Sequence, residues 1–302
     1  MKLIIDTDPG VDDALAIVYA AADPGIELLG LTTVFGNVTV AQATRNALHL
    51  VERIGRDVPV AQGAAQPLVL PPFAPSHHVH GPEGFGALAA PLPRGAPHTE
   101  SAAEFLCRTV REHPGDVVVC PIGPITNIAA AIEMDPGFAT NVREIVVMGG
   151  ALDAPGNVTP FAEANTYHDP HALDVVLASG APITMVGLDV TLRVLLTDTD
   201  FDLVAASNIA NGPFLKDISR FYLDFYRSIG LTGCGLHDPM TLIAARHPEL
   251  FSGERTPLSV DLEGPAIGKT RRTHGRPSVN VLLDCDAEAI KARFLDALVD
   301  PS

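Results

Sequence analysis

The chain has 302 residues, 47% of them hydrophobic and 19% charged, which is enough apolar material to bury a large core as one domain or two closely joined ones and argues against disorder; no internal repeat or linker divides it, so a single domain, 1–302, is expected. Its 36 acidic side chains against 20 basic ones give a net charge of -16, with no basic cluster beyond Lys269, Arg271 and Arg272, so nucleic acid and anionic membranes are disfavoured as partners. Cys107, Cys120, Cys234 and Cys285 are widely separated, as expected of reduced thiols in a cytoplasmic protein, and no apolar run reaches the roughly 18 residues of a membrane span.

In chain order, Leu3, Ile4 and Ile5 read as a short buried strand, and residues 14–22 as a helix. Between them lies Asp6-Thr7-Asp8-Pro9-Gly10-Val11-Asp12-Asp13, with Pro9-Gly10 as a turn and Asp12-Asp13 in the first helical turn, where acidic side chains suit the helix dipole. Four carboxylates converging beyond one strand raise each other's pKa unless a cation neutralises them, which points to a hard metal ion with oxygen ligands, calcium or magnesium. The plainer alternative makes Asp12 and Asp13 helix caps and Asp6 and Asp8 turn residues. An EF-hand is excluded, because counting from Asp6 puts Val11 where its glycine belongs and Ile17 where its bidentate glutamate belongs. A phosphohydrolase using Asp6-x-Asp8, with Asp6 as nucleophile, is weakened by Gly10, where such enzymes usually carry Thr or Val.

Further strand-like apolar runs follow at 28–33, 58–61, 117–120, 145–148 and 183–188, with helices expected at 40–54, 101–112, 127–134 and 170–179. Continuous apolar strands alternating with helices imply an α/β fold with a doubly wound, mainly parallel sheet flanked by helices, whose ligand site lies beyond the carboxyl ends of the strands. Asn37, the stretch from Pro121 to Asn127, Gly149-Gly150, and the loop carrying Asn157, Glu163, Asn165 and Asp169 all fall there, a set of amides and carboxylates suited to a polyhydroxylated ligand. Asn37 and Asn127 can equally be turn or cap residues.

Residues 67–95 are rich in Pro, Gly and His, lack apolar periodicity, and read as a mobile loop of the kind that covers a site; His77, His78 and His80 are more simply a solvated run than a transition-metal site. Residues 198–226 turn helical and more polar, and the spacing of Phe221, Tyr222, Phe225 and Tyr226 puts two of the four on the core side. His237-Asp238 then opens another apolar helix, 241–245, placing a titratable base beside a carboxylate at a helix start; a simple capping role is the alternative. Residues 258–262 and 279–283 read as peripheral strands and 287–298 as a closing helix.

The opening DTDPGVDDA, together with Asn37, PIGPITNIA from Pro121, VVMGG from Val146, the loop from Asn157 to Asn165, and HDP from His237, resembles the calcium-dependent nucleoside hydrolases, specifically the inosine-uridine-preferring group and its pyrimidine-preferring relatives, over nearly the whole chain. The resemblance implies a Rossmann-like nucleoside hydrolase fold and hydrolysis of a ribonucleoside to ribose and free base. It implies Ca²⁺ ligation by Asp8, Asp13 and Asp238 and by the main-chain carbonyl of Ile122, where many relatives carry Thr, with Asp6 behind them. It puts Asp12, Asn37, Asn157, Glu163 and Asn165 around the ribose and Met148 under its ring; Ala164 departs from relatives, in which an aromatic is common. Asp8 is the expected general base and His237 the leaving-group acid, with His80, Tyr222 and Tyr226 on the base side. Relatives are commonly dimers or tetramers, so a homodimer or homotetramer is expected. A non-catalytic nucleoside-binding protein would keep the metal and ribose groups while losing the acid and base; Asp8 and His237 are both present.

Overall fold

In the computed structural model, residues 1–208 and 210–299 are described; Ile209, inside the expected helical stretch 198–226, and residues 300–302, the end of the expected single domain, lie outside the described residues. The strands are β1 (Lys2–Thr7), β2 (Glu27–Thr33), β3 (Val60–Gln62), β4 (Val117–Pro121), β5 (Glu144–Met148), β6 (Ile183–Val186), β7 (Leu195–Leu196), β8 (Cys234–Gly235), β9 (Phe251–Val260), β10 (Thr270–Arg272) and β11 (Ser278–Cys285). Nine of them form one sheet in the order β10-β9-β11-β6-β5-β4-β1-β2-β3, and β7 pairs with β8. From β3 through β6 to β11 all neighbours are parallel, and only β9 and β10 add antiparallel pairs at the far edge.

The parallel part is buried because both faces of each strand feed a core. Leu3 and Ile5 join one apolar cluster with Val118, Cys120, Val146 and Met148, whereas Ile4 joins the other with Val117, Val119, Ile145 and Val147. Side chains alternate across a strand, so an unbroken apolar run is what a two-sided core requires.

The order 3-2-1-4-5-6 reverses between β1 and β4: the chain leaves β1 for one edge and returns to the other side of it after β3. Ligand crevices in open parallel sheets form at this reversal, outside the carboxyl ends. β1 and β4 run in register from Lys2 opposite Val117 to Asp6 opposite Pro121, and the Ile122 N–H then donates to the Asp6 carbonyl at 2.8 Å. The chain segments after Asp6 and after Pro121 therefore leave the sheet side by side.

Element boundaries depart from expectation where local chemistry intervenes. The strand expected at 183–188 stops at Val186, because Gly187 caps a short helix, Leu188–Thr191. The helical stretch 198–226 is two helices, Asp198–Ser207 and Gly212–Ser228, the second starting with Pro at its first turn. Strands expected at 258–262 and 279–283 extend to Phe251–Val260 and Ser278–Cys285, because they pair with each other. Residues 67–95 are not uniformly open: His77–His80 forms a helical turn, with His77 and His78 exposed but His80 and Phe85 buried. Tyr222 and Tyr226 are the two of the aromatic four that face inward. Among the described residues no helix is long and apolar enough to cross a membrane.

Candidate active site

Two helix starts meet at the sheet reversal. The helix Val11–Ala22 carries Asp12 and Asp13 in its first turn, the helix His237–Arg246 carries Asp238 in its own, and the two helices pack against each other. One carboxylate oxygen from each of Asp12, Asp13 and Asp238 lies within 4.8 Å of the others. Helix N-termini favour negative charge, which accounts for how three aspartates can be crowded here at all.

Asp13 is the most tightly held. Its carboxylate accepts hydrogen bonds from the Thr7 hydroxyl at 2.5 Å, the Asp8 N–H at 3.1 Å, the Gly10 N–H at 2.9 Å and the Asn37 amide at 3.1 Å. Asp8 Oδ2 accepts from the Asn37 N–H at 2.6 Å, while Asp8 Oδ1 is buried with no partner. The space around Asp8 depends on two glycines: a Cβ at Gly36 would come within 2.0 Å of its Oδ2, and one at Gly123 within 2.5 Å of its Oδ1. Asp6 sits behind, fully buried, accepting from the Thr32 hydroxyl at 2.5 Å and from the Asn127 side chain at 2.7 Å. Through Oδ1 it ties β2 to the helix that follows β4, Thr126–Met134, behind the carboxylates of the helix starts.

Asp12 leans towards the aromatic side. Tyr222 donates to its Oδ2 at 2.9 Å, His80 Nδ1 lies 3.6 Å from its Oδ1, and that oxygen has no hydrogen-bond partner. His80 Nδ1 accepts the Val11 N–H at 3.2 Å, so the neutral ring carries its proton on Nε2. The His80 ring lies 5.2 Å from that of Tyr222. The Tyr222 and Tyr226 hydroxyls are 3.4 Å apart, Tyr226 OH is 2.6 Å from His237 Nε2, and His237 Nδ1 is 2.9 Å from the Thr191 hydroxyl. A Cβ at Gly235 would lie 2.6 Å from His237 Nε2, so this glycine leaves the ring its room.

On the opposite wall, the Asn165 side chain donates to the carbonyls of Ile122 at 3.0 Å and Met148 at 3.1 Å. Glu163 is buried and accepts from the backbone N–H groups of Gly150, Asn165 and Thr166, which ties the end of β5 to the loop that follows it. Asn157 is exposed, and its side chain accepts from the Ala164 N–H at 3.0 Å.

Electrostatically the site is a buried negative well. Burial, and next the neighbouring charge of Asp13, pushes the Asp8 carboxyl well above the usual range; burial and then Asp12, Asp13 and Asp8 do the same to Asp238. Asp12 and Asp13 are also raised by burial, and Asp6 and Glu163 are each raised by burial to about 7. Among the described residues no lysine or arginine is ion-paired with this group, and histidine is its only basic neighbour. Burial lowers His80 to about 4 and lowers His237, with Asp12 opposing the latter shift. Hard oxygen donors, free lone pairs on Asp8 and Asp12, and the lack of a compensating cation suit an oxygen-loving metal ion.

Sequence reasoning missed Thr191 and Asp189, which lie just after β6, and misjudged Asn127, which donates to Asp6 rather than serving as a turn residue. The rule of inspecting residues beyond each strand reaches both once β6 is ended at Val186.

The family model for inosine-uridine preferring nucleoside hydrolases matches residues 3–292. A uridine nucleosidase of Arabidopsis thaliana is 45% identical over 278 residues, covering 91% of this chain and 82% of its own. A pyrimidine-specific ribonucleoside hydrolase of Citrobacter koseri is 34% identical over 309 residues, covering 99% and 97%. Of the solved structures, a plant nucleoside hydrolase superposes with a TM-score of 0.95 at 37% identity over 99% of each chain. A purine-preferring ribonucleoside hydrolase from Gardnerella vaginalis gives 0.95 at 38% identity, over 99% of this chain and 98% of that one.

Proposed function

Since this chain belongs to the inosine-uridine preferring nucleoside hydrolase family and so hydrolyses the N-glycosidic bond of ribonucleosides, we propose that its metal ion is Ca²⁺, held by Asp8, Asp13, Asp238 and the Ile122 carbonyl, and that Asp8 and His237 carry the proton transfers. The observation that carries this reading is the buried cluster of Asp12, Asp13 and Asp238, together with buried, unpartnered oxygens on Asp12 and on Asp8 nearby in the same turn, beside a histidine-tyrosine wall. Ca²⁺, when bound, supplies the positive charge that lets clustered carboxylates ionise together and orients hydroxyl and water oxygens.

The chain's own residues then divide the work. Asp8 Oδ1 accepts the proton of the attacking water. Asp12, Asn37, Asn157, Glu163 and Asn165 surround the ribose, with Asp12 and Asn165 holding its 2′ and 3′ hydroxyls and Met148 beneath the ring. The surrounding carboxylates favour positive charge developing at C1′ as the C1′–N bond breaks. The bond's electron pair goes to the departing base, which takes a proton from the His237 side, with the Tyr226 hydroxyl 2.6 Å from Nε2 as the adjoining donor and acceptor. His80 offers Nε2–H and Tyr222 its ring to the same base.

The chain contains no Trp, so the base is not gripped between indole rings. Hydrogen-bond donors suit bases with carbonyl groups, so inosine and pyrimidine nucleosides are the preferred substrates over adenosine. A single domain, a homodimer or homotetramer, and a cytoplasmic location complete the reading by family likeness and by the reduced state expected of the four cysteines. The test is kcat/KM over inosine, guanosine, adenosine, uridine, cytidine and 2′-deoxyuridine. Uridine or inosine should lead, and deoxyuridine should fall on the order of 10⁴-fold, because its missing hydroxyl strands buried polar groups. Adenosine in the lead would overturn the base assignment, and equal rates on uridine and deoxyuridine would overturn the ribose assignment.

A further inference from the structure

We propose that Asn46 is a positioning residue for the base side of the site: its side-chain amide pins the loop that carries His80 to the aspartate turn, and so sets where His80 meets the leaving base. This rests on the reading of His80 as a contact to that base.

Asn46 lies fully buried in the helix Val40–Ile54. Its Nδ2 donates to the Pro9 carbonyl at 2.9 Å and to the Glu83 carbonyl at 2.8 Å, while its Oδ1 accepts from the Gln42 side chain at 2.6 Å. A primary amide has two hydrogens to give, and here each goes to a different part of the site. Pro9 stands between Asp8 and Asp13 in the aspartate turn, and Glu83 stands three residues after His80. Gly84 lets the two segments touch. Its φ is +85°, and a Cβ there would lie 2.6 Å from the Pro9 carbonyl oxygen and 2.8 Å from Asn46 Nδ2.

The position of Glu83 passes to His80 because the loop is bonded to itself. The His80 N–H donates to the Ser76 carbonyl at 3.1 Å, the Gly81 N–H to the His77 carbonyl at 3.0 Å, the Gly84 N–H to the Gly81 carbonyl at 3.3 Å and the Gly86 N–H to the His80 carbonyl at 2.8 Å. The Glu83 carboxylate adds to the hold, accepting from Arg45 of the same helix at 3.0 Å and from the Ala90 N–H at 2.6 Å. His80 Nδ1 accepts the Val11 N–H at 3.2 Å, which leaves the ring's one proton on Nε2. Asn46 and the Val11 N–H therefore fasten one compact loop to one turn at two points. Without the amide, the Pro9 and Glu83 carbonyls lose the donor between them, and the loop shifts off the turn.

The test is a double-mutant cycle of Asn46→Leu and His80→Ala in the Ca²⁺-loaded enzyme, on uridine and on p-nitrophenyl riboside, whose leaving group departs without a proton. Asn46→Leu removes both donors at nearly the same volume. It should lower kcat/KM on uridine roughly 10- to 100-fold, no further than His80→Ala does, and should largely spare the nitrophenyl substrate. Added to His80→Ala it should cost at most about 2-fold more, the error to which such effects add. Ca²⁺ affinity should be unchanged, because Asp13 keeps its hydrogen bonds to Thr7, Asn37 and the Asp8 and Gly10 N–H groups. Amide hydrogen exchange over 77–86 gives a readout that needs no turnover, and it should quicken in Asn46→Leu. Gly84→Ala keeps both amide donors but wedges the loop off the turn; it should reproduce the pattern, and it carries the test where Asn46→Leu fails to fold. Wild-type turnover of uridine in Asn46→Leu beside a crippled His80→Ala would overturn the role of Asn46 alone. So would a full further loss in the double variant, equal loss on both substrates, a fall in Ca²⁺ affinity to match the fall in activity, or unchanged exchange over 77–86. If His80→Ala itself leaves uridine turnover intact, the base-side reading of His80 falls and takes this proposal with it.

Discussion

Gly123→Ala is the sharpest small perturbation of the site. An added Cβ would stand 2.5 Å from Asp8 Oδ1 and 2.9 Å from Val34 Cγ1, whereas ordinary contact begins at 3.4 Å. The difference, 3.4 minus 2.5, means that the carboxylate oxygen must move by 0.9 Å or the loop after β4 must back away by as much. That oxygen is the one with no hydrogen-bond partner, so nothing local offers it a second resting place. A displacement near 1 Å of a reacting group costs on the order of 10²-fold in rate, about 2.7 kcal/mol of transition-state stabilisation. Steady-state ribose release from uridine should show that loss in kcat/KM, and calorimetric Ca²⁺ titration should show weaker binding. Gly95→Ala is the control, because its Cβ would meet Leu48 at an ordinary 3.6 Å. A Gly123→Ala enzyme with the Tm, Ca²⁺ affinity and kcat/KM of the wild type would refute the placement of Asp8 at the reacting centre.

Two further outcomes follow from the same geometry and burial. His237→Ala should lose on the order of 10²-fold in kcat on uridine while nearly sparing p-nitrophenyl riboside; equal losses would reassign His237 to positioning the ribose or metal. His168 is buried against Phe73, with ring centroids 5.1 Å apart, and burial lowers its pKa from 6.5 to about 4. The unfolded chain therefore takes up this proton first, so the contribution is intact above pH 6.5 and is lost as the pH falls towards 4, by about 3 kcal/mol at most. His168→Phe should flatten the fall in Tm across that window, and an unchanged acid limb would count against the burial of a neutral imidazole there.

The sheet was legible because strands buried on both faces announce themselves as unbroken apolar runs, and Leu3-Ile4-Ile5 splits between two cores as such a run must. The aspartate turn was legible because four carboxylates in eight residues need a common physical cause. The base-side wall was less so. His80 stands in a Pro- and Gly-rich stretch with no periodicity, and what buries it is the Val11 N–H, 69 residues away in sequence. Thr191 escaped notice because the apolar run to Leu188 reads as strand, whereas Gly187 ends it and starts a short helix that brings the Thr191 hydroxyl to His237. Asn157 shows the converse. Its place in the motif suggests a ribose contact, and its side-chain oxygen holds the Ala164 N–H, so what it presents to a ligand depends on how a loop closes on itself, which no local pattern spells out.

The proposed metal ion, held by the buried aspartates, is what allows this site to cleave a nucleoside. The most direct measurement is ribose release from uridine by enzyme stripped of metal and then titrated with Ca²⁺, with Asp13→Ala taken through the same protocol and metal content determined at each step. Asp13 is the partner of Thr7, Asn37 and two backbone N–H groups, so its loss should lower both bound Ca²⁺ and activity. The stripped enzyme should show no turnover, and activity should return in step with Ca²⁺ bound. Full turnover in a sample shown to be free of metal would contradict it.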